Sequence, residues 1–123
     1  MSYARRLVVE LTTDAEGNAT GYTPVVTGKL SQIRYVKDDF SDGVTFAITA
    51  EATGETLWSE AAVNAAATRA PRQPTHSTAG AAALYAAGGV AVLDKIGLAQ
   101  DRVKIVVSSG GAVKSGAFHV VIE

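Results

Sequence analysis

Apolar side chains recur at every second position along most of this chain. Leu7, Val9 and Leu11 form one such ladder, and Val44, Phe46, Ile48 and Ala50 form another with Thr45 and Thr49 in the opposite phase. Val103, Ile105 and Val107 form a third, alternating with Lys104 and Val106, and Phe118, Val120 and Ile122 a fourth. Successive strand side chains point to opposite faces, so each ladder predicts a strand with one apolar face. The last two ladders are separated by Ser108-Ser109-Gly110-Gly111, a turn composition, and the chain is therefore expected to end in a β-hairpin.

The segments between these ladders read less regularly. Asp14-Ala15-Glu16-Gly17-Asn18 is a turn signal closing the first strand, and an extended stretch around 19–27 should lie at a sheet edge because Pro24 cannot donate to a ladder. Leu30, Ile33 and Tyr35 mark a further strand whose uneven spacing calls for a bulge or register change near Gln32. Thr53-Gly54-Glu55 predicts a hairpin into Thr56-Leu57-Trp58-Ser59-Glu60, after which Val63, Ala65 and Ala67 continue extended toward Pro71. Residues 69–77 contain Pro71 and Pro74 and are expected to form a long exposed loop. Residues 79–92 combine alanine with Gly80, Gly88 and Gly89, which leaves one or two helical turns and a packed loop both open. Ile96 and Leu98 read as a short strand. The expected fold is all-β: an antiparallel β-sandwich or jelly-roll-like barrel of seven to eight short strands, with 79–92, helical segment or packed loop, as the one stretch left open.

At 123 residues the chain has the length of one domain, 1–123, with residues 1–6 read as an arm ahead of the first strand. Eleven Lys and Arg against twelve Asp and Glu leave a net charge of −1, without the basic stripe a nucleic-acid partner requires. Zero cysteines exclude a disulfide framework, a thiolate nucleophile and a Cys-containing zinc site. Leu7-Val8-Val9 is too short for a secretory apolar core, and the run at 81–93 is broken by Gly88-Gly89 short of a membrane span, so a soluble protein made in the cytoplasm is expected.

Candidate chemistry is sparse. Residues 109–116 approach a phosphate loop, but Val113 stands where that motif needs glycine before Lys114, and a strand pattern follows where a helix is required. Asp38, Asp39 and Asp42 ahead of Gly43 suit a hard cation, yet Phe40 and Thr49 break the EF-hand pattern, and a solvated turn is the reading adopted. His76 and His119 are the only candidate neutral-pH bases; His119, between Phe118 and Val120, should turn its ring away from the core, toward solvent or a partner. No Gly-x-Ser-x-Gly elbow or clustered acid and base accompanies them, so neither an enzyme nor a cofactor or metal site is expected. Tyr3, Arg5 and Arg6 in the arm, and Arg69 and Arg72 around Pro71, are residue types favoured at interfaces and are the candidate partner contacts.

Several stretches carry a resemblance. They are Ile33-Arg34-Tyr35-Val36-Lys37-Asp38-Asp39-Phe40-Ser41-Asp42-Gly43-Val44-Thr45-Phe46, Val63-Asn64-Ala65-Ala66-Ala67-Thr68-Arg69-Ala70-Pro71-Arg72, and Pro74-Thr75-His76-Ser77-Thr78-Ala79-Gly80 with Leu84-Tyr85-Ala86-Ala87-Gly88-Gly89. Asp94-Lys95-Ile96 and Asp101-Arg102-Val103-Lys104-Ile105-Val106-Val107 complete the set. From about Leu30 onward the chain resembles a family of small virion structural proteins of tailed bacteriophages. The resemblance implies a capsid decoration (cement) or head–tail joining component, made in the host bacterial cytoplasm and located in the virion. It implies major capsid or neck and tail subunits as partners, and a homo-oligomer in the particle. A stand-alone ligand-binding or carbohydrate-binding sandwich is the alternative, with Trp58 and Tyr22 as the small supply of rings for a sugar.

Overall fold

The computed structural model describes residues 4–74 and 93–123. Among the described residues ten strands run in chain order: β1 (Arg5–Thr12), β2 (Ala19–Tyr22), β3 (Val26–Val36), β4 (Val44–Ala50), β5 (Thr56–Val63), β6 (Ala67–Arg69), β7 (Arg72–Pro74), β8 (Leu93–Asp101), β9 (Val103–Ser108) and β10 (Ser115–Ile122). They make two sheets, one ordered β1-β10-β3-β8-β7 with β6 added to β3, the other β2-β9-β4-β5. Every pairing is antiparallel. The all-β expectation holds, and the period-two ladders fall on β1, β4, β9 and β10, whose apolar phases point between the sheets.

That interior is organised around rings. Tyr35 of β3 and Phe118 of β10, from one sheet, meet Phe46 of β4, from the other, at centroid separations of 5.3 Å (Tyr35–Phe46) and 5.1 Å (Phe46–Phe118). Trp58 of β5 packs edge-on against Phe46 at 4.7 Å, and Phe40, from the connection after β3, lies parallel to Tyr35. Such tilted and edge-to-face pairs favour the ring quadrupoles and add to the apolar area buried. Phe40 reaches this position over Gly116: a methyl there would collide with the Phe40 ring.

Bulges tune which side chains join the core. Val121 pairs with Gln32 but Ile122 with Leu30, so β3 carries one extra residue at Ser31, and Leu30 and Ile33 both face inward. This is the irregularity read from the spacing of Leu30, Ile33 and Tyr35. In β5 an extra residue between the partners of Ile48 and Thr49 turns consecutive Leu57 and Trp58 inward. A second bulge in β5 places Ala62 at φ 55°, and one in β8 places Gln100 at φ 48°.

Four expectations need correction. Residues 101–123 do not form a hairpin: β9 pairs with β2 and β4, β10 pairs with β1 and β3, and the glycine-rich connection crosses from one sheet to the other. Both ladders are fully inward-facing because each lies in the middle of its own sheet, a pattern that a hairpin and a crossover share. Arg5 and Arg6 belong to β1, paired with Ile122 and Val121, and not to an arm. Residues 69–74 are not a loop throughout, since β6 pairs with β3 and β7 with β8. These two three-residue strands, too short for a legible period, bring the number above the seven to eight expected. The helical alternative at 79–92 lies outside the described residues. The hairpin of β4 and β5 across Gly54 and the edge position of β2 ahead of Pro24 are as read from the sequence.

The Tyr35 hydroxyl is buried and finds no hydrogen-bond partner among the described residues. Burial raises its pKa, with Asp42 adding to the shift. A buried hydroxyl without a partner costs free energy, so Tyr35→Phe is expected to leave stability unchanged or raise it by up to about 1 kcal/mol. Urea unfolding measures this; a loss beyond that amount would reveal a partner for the hydroxyl.

Candidate functional site

Three connections converge at one pole of the sandwich: 13–18 after β1, 37–43 after β3 and 109–114 after β9. Their backbones bond to one another. Gly110 N–H donates to Gly17 O at 3.1 Å, Val113 N–H to Asp14 O at 3.1 Å, Ser41 N–H to Gly110 O at 2.9 Å and Asp39 N–H to Ser115 O at 2.8 Å. Buried Thr13 joins the set, its hydroxyl donating to Gly111 O and accepting from Lys114 N–H at 2.8 Å. The glycine-rich loop thus spends the N–H groups of Gly110, Val113 and Lys114 inside the protein, where a phosphate cradle would aim such donors at its ligand.

Two carboxylates of this pole are likewise engaged. Asp14 accepts N–H bonds from Glu16 and Asn18 at 2.9 Å each, closing the turn read from the sequence. Asp42 takes the Lys37 ammonium at 2.5 Å, and Phe40, between the aspartates, points into the core. Among the described residues no three His, Asp or Glu side chains gather as a metal site would need.

A depression of about 280 Å³ opens on the outer face beside this pole, lined by Glu10, Leu11 and Thr12 of β1, Asp38, and Ser115, Gly116 and Ala117 of β10. Small β10 residues make its floor, and two carboxylates and two hydroxyls stand around it. It can accept hydrogen bonds, but it has no ring on which a sugar could stack and no histidine to move a proton.

The predicted contact residues are dispersed. Arg6 and His119 meet on the outer face of the six-stranded sheet, Arg6 Nη1 donating to His119 Nδ1 at 3.2 Å; His119 does turn its ring away from the core. Arg5 is exposed at the start of β1. Arg69 lies at the opposite edge, its guanidinium 5.5 Å from the centre of the Trp58 ring and 3.1 Å from Glu60 Oε1, while Glu60 also accepts the Trp58 indole N–H at 3.0 Å. Arg72 donates to the carbonyls of Ser31 and Pro71, both at 2.9 Å, and so anchors β7 to β3. Tyr3 and His76 lie outside the described residues. Sequence separation concealed these partners: Glu60, Trp58 and Ser31 come beside the arginines only through the pairing of β6 with β3 and the bulges of β5.

Val8 and Val113 were not singled out from the sequence as exposed apolar side chains. Val8 (51% exposed) occupies the polar phase of β1, and Val113 (67% exposed) sits at the loop tip with φ 51°, strained for a β-branched residue. A valine breaking an otherwise polar phase was the available signal for the first, and the displaced glycine of the phosphate-loop pattern for the second. Tyr22 is exposed at the rim of β2, with the Arg102 guanidinium 3.9 Å from its ring centre and Glu51 bonded to that guanidinium. No helix among the described residues is long and apolar enough to cross a membrane. No protein-family model and no curated protein matches the chain.

Two outcomes follow from these contacts. The N–H bonds to the Asp14 carboxylate, that of Asn18 foremost, hold its pKa below the ordinary value. A pKa lowered by folding stabilises the folded state above the unfolded-state value and ceases to do so as pH falls through the folded-state value. The stability of the protein relative to Asp14→Asn is therefore expected to be greatest near neutrality and to shrink below about pH 4, as urea midpoints across that range would register. Arg69→Ala uncovers Trp58, the only tryptophan. A red-shifted Trp emission and a loss of about 0.5–1 kcal/mol are expected, with unchanged emission counting against the stacking.

Proposed function

We propose that this chain is a structural protein of a tailed-bacteriophage virion, a capsid decoration (cement) or head–tail joining component that works by binding other virion subunits. The resemblance over residues from about Leu30 onward supports this reading. The observation that carries it is the use made of the surface polar groups. Arg6 with His119, Lys37 with Asp42, Arg69 with Glu60, Arg102 with Glu51 and Lys95 with Glu123 are paired at the surface, and the loop pole is cross-bonded through its backbone. Such a surface is rigid before it meets a partner, so less ordering is lost on contact. Many weak contacts of this kind become effective when symmetry repeats them over a lattice or ring.

Virions produced by a bacterium carrying the gene should contain the protein at a fixed copy number per particle, measured by quantitative mass spectrometry of gradient-purified particles. Its absence from intact particles would refute the proposal. The carbohydrate-binding alternative needs open rings. Trp58 is buried beneath Arg69, and Tyr22, though exposed, carries the Arg102 guanidinium over its ring, so no row of open rings stands among the described residues.

A further inference from the structure

Sheet edges present unpaired backbone groups, and proteins ordinarily blunt them with brevity, proline, bulges or inward-facing charge. Most edges here are treated in this way. β2 has four residues and is followed by Pro24, β7 has three and ends in Pro74, β6 has three, and β5 is distorted by the bulges at Leu57 and Ala62. β1 is the exception. It runs for eight residues in unbroken register with β10, contains neither proline nor bulge, and turns Leu7, Val9 and Leu11 inward. Among the described residues no strand pairs with its other edge.

The composition of that edge is self-complementary. Thr13 N–H donates to Lys114 O at 2.8 Å, continuing the register of β1 on β10. By the alternation of antiparallel ladders, the N–H and C=O groups of Arg6, Val8 and Glu10 then point to the free edge, while their side chains stand exposed on the outer face. Two copies paired antiparallel must set such outward-directed residues opposite one another. Centring the pair on Val8 brings Arg6 opposite Glu10 of the second copy, twice by symmetry, with Val8 against Val8 between them. Centring it on Leu7 or Val9 sets each charge against a neutral residue instead. Arg6 has five N–H donors and gives one to His119, so it retains donors for a carboxylate.

We propose that two copies of this chain associate through β1, in the antiparallel register centred on Val8, joining their larger sheets into one continuous sheet. About six backbone hydrogen bonds and two cross-strand ion pairs would hold it. The inference stands on the edge strand alone and does not depend on the virion reading.

Sedimentation equilibrium of the full chain tests it by charge reversal at exposed positions, with circular dichroism confirming that each variant folds. The protein should dimerise, at twice its 12.7 kDa mass. Arg6→Glu alone and Glu10→Arg alone each set like charges opposite one another and should weaken dimerisation by about tenfold or more. An equimolar mixture of the two single variants restores both pairs in a heterodimer and should associate about as tightly as the unaltered protein. A protein monomeric at all concentrations reached, an oligomer indifferent to the reversals, or single variants that fail to rescue one another would each overturn the proposal.

Discussion

Contact between the rings of Tyr35, Phe46 and Phe118 is the constraint on which the other features of this sandwich depend. Each ring comes from a strand with neighbours on both sides, β3 and β10 in one sheet and β4 in the other. A ring pair in this arrangement contributes roughly 0.5–1.5 kcal/mol beyond the area it buries, and it fixes where one sheet sits over the other. The bulges of β3 and β5 follow from that need. Without the extra residue at Ser31, Leu30 would leave the inner face; without the one at Leu57, Leu57 and Trp58 could not both be inside.

How far the sequence disclosed this depends on the range of the interaction involved. A strand advertises itself locally, so the ladders of β1, β4, β9 and β10 were legible from alternation, and the bulge near Gln32 from three apolar residues at unequal spacing. Partnership between strands is not local. The ladders ending in Val107 and beginning at Phe118 look like two arms of a hairpin because both bury one face, and only the folded chain reveals that the faces oppose each other across the core. β6 and β7 were unreadable for a different reason: Ala67, Thr68 and Arg69 have no alternation, and the prolines nearby mimic a loop.

The same distinction applies to the candidate contact residues. Arg69 and Arg72 were conspicuous as residue types, but their work within the chain involves Trp58, Glu60 and the Ser31 carbonyl, which no spacing connects to them. Arg6 was conspicuous as part of an arm whose last two residues, Arg5 and Arg6, belong to β1, and its place there gives it a neighbour in His119 and an unpaired backbone edge. The acidic turn and the glycine-rich loop, each suggestive of a ligand on composition, are absorbed into the architecture: Asp42 holds Lys37, and the loop bonds to the connection after β1.

β10 occupies the middle of the larger sheet, between β1 and β3, although it is the last strand of the ten. During synthesis β1 and β3 must therefore wait with their inner edges open until residues as far as Ile122 have cleared the ribosome. The ring contacts of Phe118 wait with them. Closure of this sheet waits for β10 and is dominated by pairings distant in sequence, which are slow to form, and until then the nascent chain displays strand edges that the folded protein hides.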